Sequence, residues 1–62
     1  MGLRPGIVVG SAVTHRKTGE RGVVQGMRFS PRPPYSPREV QVRWEHLGRL
    51  PSWIAIQKVR RG

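Results

Sequence analysis

Two short segments of this chain gather side chains able to hold a phosphate. In His15-Arg16-Lys17-Thr18-Gly19-Glu20-Arg21, three cations and a histidine surround a glycine that can take positive φ without steric cost. Such a tip brings guanidinium, ammonium and backbone amide groups to one point, although neither the spacing nor a following helix matches a P-loop. In Ser30-Pro31-Arg32-Pro33-Pro34-Tyr35-Ser36-Pro37-Arg38, two arginines flank a tyrosine set among four prolines. A ring held in this way can stack an unpaired base while the arginines hold phosphates, or it can pack on its own prolines and stiffen the loop. Arg28 and Arg43 within the chain, and Lys58 and Arg60 near its end, complete the set of candidate nucleic-acid contacts; with Arg61 the terminal pair can also be read as a solvated tail.

The charge balance points the same way. Twelve Lys and Arg stand against Glu20, Glu39 and Glu45, giving a net charge of +9 on 62 residues, and ten of the twelve are arginine. Guanidinium binds phosphate bidentately and stacks on bases, which ammonium does not, so the partner expected is DNA or RNA, contacted mainly along its backbone. An Arg-rich surface that is simply solvated is the plainer explanation of the same composition. The chain has no cysteine, which removes disulfides, thiolate zinc sites and a thiol nucleophile. His15 and His46 are too far apart in sequence to argue a metal pair, so no metal and no cofactor is expected. The carboxylates are scattered among arginines, and Ser11, Ser30, Ser36 and Ser52 have no His and Asp at a recognisable spacing, so no enzyme is expected either. No apolar run, Ile7 to Val9 included, is long enough for a membrane span or a signal sequence, and the expectation is a soluble, cytoplasmic protein.

These side chains need a scaffold, and 62 residues allow one domain with a small core. No stretch keeps helical spacing of apolar residues over three turns, so the prediction is all-β. Residues 1–9 read as an N-terminal arm ending in a lead-in strand at Ile7-Val8-Val9, and residues 10–62 as the folded body. Strands are predicted around Ala12 to His15 and from Gly22 to about Phe29. In the second, Val24 and Gly26 share one face, and Val23, Gln25 and Met27 the other. The clearest strand is Glu39 to Glu45, where Val40, Val42 and Trp44 alternate strictly with polar residues and must face the core. Ser52 to Ile54 is a fourth short strand, Ala55-Ile56-Gln57 a single tight helical turn, and Lys58 to Arg60 the last strand. Residues 30–38 should form an exposed, polyproline-like loop, because proline lacks the donor and fixes φ. Phe29 is expected to close one end of the core, or else to join the stacking platform of Tyr35, and Trp53 to serve equally as core or as a ligand platform, since it starts a short strand beside a turn.

Five short strands, a long second connection and a one-turn 3-10 helix before the last strand describe a small five-stranded SH3-like barrel. Gly10-Ser11-Ala12-Val13, Thr18-Gly19-Glu20-Arg21-Gly22-Val23-Val24, Val40-Gln41-Val42-Arg43-Trp44 and Trp53 to Val59 together resemble KOW- and Tudor-type modules over about residues 10–60. That resemblance implies an accessory factor in transcription, translation or DNA metabolism, monomeric or weakly associating. It equally admits a module that docks on a polymerase or other protein partner, with the Pro-rich loop presented in extended form. Type II dihydrofolate reductases are similar in length and general architecture only, and their Val-Gln-Ile-Tyr signature is absent. In an SH3-like barrel the first and second connections can approach one edge, so the basic turn and the Pro-rich loop are expected to form one phosphate-tracking surface.

Overall fold

The computed structural model describes residues 6–62. The chain order is β1 (Ala12–His15), β2 (Arg21–Phe29), β3 (Pro37–Trp44), β4 (Ser52–Ala55), a 3-10 turn (Ile56–Lys58) and β5 (Val59–Arg61). All strand pairs are antiparallel, in one sheet of order β4-β3-β2-β1-β5. The all-β class and the single turn before the last strand therefore hold. The barrel itself does not close: β4 and β5 are the two edges, linked through the 3-10 turn, which carries the chain away from β4 so that β5 pairs with β1.

The alternation in β3 is the basis of the core. Val40 and Val42 are completely buried and Trp44 is 5% exposed, while Gln41 and Arg43 face the other way. Val13, Val24 and Val59 complete the buried cluster, with Ile7, Met27, Ile54 and Ile56 packed against it. Branched valines suit this place because they fill a pleated surface with few rotamers to lose. The Trp44 indole nitrogen donates to Ser52 Oγ at 3.0 Å, so the one polar atom of the buried ring is satisfied.

In β2 the register slips between Val24 and Gly26: Val24 lies opposite Val42, Gly26 opposite Gln41 and Met27 opposite Val40. Gln25 is the extra residue of a β-bulge, and every residue beyond it changes face. Met27 thus joins Val24 on the core side and Gly26 turns outward, the reverse of the uninterrupted alternation predicted for this strand.

Two further expectations are corrected. Ile7 to Val9 is not a strand: Val9 and Gly10 form a turn, Gly10 has φ +98°, and Ser11 donates back to the Val8 carbonyl at 2.9 Å. Ile7 still packs on the core; the rest of the predicted arm, residues 1–5, lies outside the described residues. The Pro-rich segment is exposed, as expected, but it is not extended. Because Phe29 pairs with Pro37, the intervening chain must reverse. It does so with Tyr35 N–H donating to the Arg32 carbonyl and Ser30 N–H to the Ser36 carbonyl, both at 2.8 Å, around a cis Pro33–Pro34 bond. Pro37 and Arg38 already belong to β3; a first strand residue can do without a ladder donor.

Candidate nucleic-acid interface

Residues directly opposite each other in a ladder share a face. On the side away from the core, Thr14 lies between Arg60 and Arg21. Val23 lies between Ala12 and Arg43, Gln41 between Gly26 and Trp53, and Glu39 between Arg28 and Ala55. Four of the sequence candidates, Arg21, Arg28, Arg43 and Arg60, thus stand on the outer face of the sheet, and all four are exposed.

Trp53, on the edge strand β4, is half-buried on that face. Its ring packs over Gly26, where a Cβ would come within 3.3 Å of Trp53 Cη2, and the Arg28 guanidinium carbon lies 4.0 Å from the ring centroid. A guanidinium so placed is drawn to the ring face and shields it. Arg28 also pairs with Glu39 at 3.4 Å, and the Gln25 amide donates to Gln41 at 3.1 Å. The bulge that displaces Gln25 is therefore also what brings an amide pair onto the basic face. These exposed pairings add little to stability; their effect is to hold donors, a ring and positive charge at fixed positions.

At the start of β2 the basic turn is tied into the rest of the molecule. The Arg16 N–H donates to the Lys58 carbonyl at 2.9 Å, which sets Arg16, Lys17 and Lys58 at one end. His15 Nδ1 accepts from the backbone N–H groups of Lys17 and Thr18, so it organises the turn and is not available to a metal. Arg49, absent from the sequence candidates, ion-pairs with Glu20 and places its guanidinium 4.9 Å from the Trp44 ring centroid. Nothing in the spacing of Glu20 and Arg49 announces that pairing. The hydrogen bond from Arg49, aided by its charge and by the Thr18 hydroxyl, holds the Glu20 carboxyl below its ordinary value of 4.5. A folded value below the unfolded one means that Glu20 stabilises the protein fully above the ordinary carboxylate range, and that this is lost as pH falls through the depressed value. Glu20→Gln should therefore lower the urea midpoint at neutral pH and leave it nearly unchanged at strongly acidic pH. A midpoint difference that persists unchanged in acid would assign the effect to something other than this charge.

Arg32, Tyr35 and Arg38 stand at the far end of β2, all exposed, Tyr35 by 59%. The basic turn and the Pro-rich loop do not make one surface, because they cap opposite ends of the same nine-residue strand. Phe29 does not close the core: it is 55% exposed at the end of β2. There it lines a groove of about 530 Å³ with Arg28, Arg38, Glu39, Ile56 and Gln57. Among the described residues no group of His, Cys, Asp or Glu could hold a metal ion, and no helix is long and apolar enough to cross a membrane.

Compared with protein-family models, with curated proteins and with solved structures, the chain finds no match.

Proposed function

We propose that this protein is a binding module for DNA or RNA that contacts mainly the phosphate backbone, through the outer face of its sheet. The observation that carries the reading is the strand register, which sets Arg21, Arg28, Arg43 and Arg60 on one side of the sheet, the side that also carries Trp53 and the Gln25–Gln41 pair. Composition supports it: with three acids against twelve cations, and Glu20 and Glu39 both held in ion pairs with arginines, a phosphate approaching this face meets little repulsion. Four arginines across adjacent strands suit a backbone that can be followed without reading its bases. The similarity to KOW- and Tudor-type modules with SH3-like barrels accords with an accessory role in transcription, translation or DNA metabolism, inside the cytoplasm. We propose no catalytic role.

The test is the salt dependence of binding to a mixed-sequence oligonucleotide. Affinity should fall linearly on logarithmic axes as salt rises, and replacing both Arg21 and Arg43 with Ser should lower that slope by roughly 0.7–0.9 for each phosphate that is no longer neutralised. The weakening should be similar for every sequence tried. Absence of measurable affinity at low salt would end the proposal. A protein partner would then lead, favoured by Leu47 and Leu50, which are 93% and 80% exposed on the turn between β3 and β4. Such docking would depend on salt only weakly.

A further inference from the structure

We propose that the groove between the end of the β2–β3 hairpin and the 3-10 turn is a subsite for one unpaired nucleotide of a single strand, an inference that rests on the nucleic-acid reading above. Its volume of about 530 Å³ falls in the range of about 300–1,000 Å³ usual for small-molecule sites. Phe29 gives it a wall with an exposed ring, Ala55 and Ile56 add apolar surface, and Gln57 supplies an amide able both to donate and to accept. A groove of mixed lining, with an exposed aromatic ring beside polar side chains, suits a base, since every base has a π-face to stack and an edge to hydrogen-bond.

The charges orient the ligand. Glu39 lines the same groove in its ion pair with Arg28, and its carboxylate oxygens can accept from base N–H groups. Arg38 also lines it. A second register shift, between Arg28 and Phe29, leaves Arg38 without an opposite residue on β2, and bulged residues are where sheets re-aim a side chain. The base therefore enters toward Phe29 and the phosphate stays with Arg38. Arg28 joins the groove to the outer face, because it both lines the groove and stacks on Trp53. A strand following the outer arginines reaches the groove at that residue. Bases of a duplex are paired and stacked and cannot turn into the groove, so the subsite discriminates by strandedness.

The experiment measures the affinity of the full 62-residue chain for a labelled mixed-sequence single strand and for its duplex, with DNA and RNA strands in parallel. The wild type should prefer the single strand. Phe29→Ala should weaken single-strand binding about 5- to 150-fold and leave duplex binding as it was, and Phe29→Trp should keep the preference. A Phe29-dependent preference on either kind of strand supports the subsite and identifies the sugar it takes. An equal weakening on single strand and duplex, or none on either, overturns it while leaving backbone binding intact. Failure of the wild type to bind any strand at low salt overturns both readings. Should Phe29→Ala fail to melt cooperatively, Arg38→Ser takes its place, with a selective weakening on single strands expected and an equal weakening on duplex counting against the subsite.

Discussion

Val42→Asp is expected to abolish the cooperative unfolding transition. Val42 is completely buried and lies between Val24 of β2 and Ser52 of β4, at the centre of the sheet. The nearby groups offer a carboxylate no cation: the buried cluster is Val13, Val24, Val40, Val42, Trp44 and Val59. Burying an uncompensated charge costs several kcal/mol even after the site relaxes or the group takes up a proton. At roughly 0.05–0.15 kcal/mol per residue, a domain of this size holds only about 3–9 kcal/mol in total, so the cost is of the same order as the whole stability. The control is Gln41→Asp, one residue earlier and on the outer face, which should remain folded by circular dichroism. If Val42→Asp melts normally while Gln41→Asp does not, β3 is one residue out of register.

Gly22→Ala tests close approach rather than charge. A Cβ at Gly22 would lie 2.5 Å from Val42 Cγ1, 2.7 Å from the Arg43 carbonyl oxygen and 3.1 Å from Trp44 Cα. Valine can swing a methyl aside, but Arg43 O and Trp44 Cα are backbone, so β3 itself has to move away from β2. Overpacking of this kind costs about 1–3 kcal/mol. For a domain of 60–100 residues each kcal/mol shifts the melting temperature by about 4–8 °C, so a drop on the order of 5–20 °C is expected. The same substitution at Gly6, where a Cβ meets nothing within 4 Å, should change little. Equal melting of the Gly22→Ala variant and the wild type would mean that the two strands stand further apart than the structure has them.

How much of this can be read from the residues differs from strand to strand. Val40, Val42 and Trp44 declare their face because β3 has one side in water, and period two survives undisturbed. β2 conceals its faces because Gln25 is inserted without any change in residue type, and only the isolated Gly26 hints at a bulge or a close approach. Proline in the 30–38 segment excludes helix and central strand correctly, yet its stiffness says nothing about direction; direction comes from Phe29 pairing with Pro37. Arginine as the binding residue is legible from type alone. Which arginines share a face is not, since Arg21, Arg43 and Arg60 come together only through pairing between strands far apart in sequence. The surroundings of Arg49 and Phe29 are hidden for the same reason, being contributed by the β1–β2 turn in one case and by β3 and the 3-10 turn in the other.

The unclosed sheet has a consequence for how copies of this protein meet one another. Its two rims, β4 on one side and β5 on the other, present backbone donors and acceptors of the sort on which a neighbouring chain can add a strand and begin to aggregate. A net charge of +9 opposes that encounter by mutual repulsion, and Arg60 and Arg61 sit on the β5 rim itself. The protection is electrostatic, so it reaches only about 8 Å at physiological ionic strength and about 3 Å in molar salt. Colloidal stability and readiness to meet a polyanion thus draw on the same arginines, and whatever neutralises them also removes the guard on the open rims.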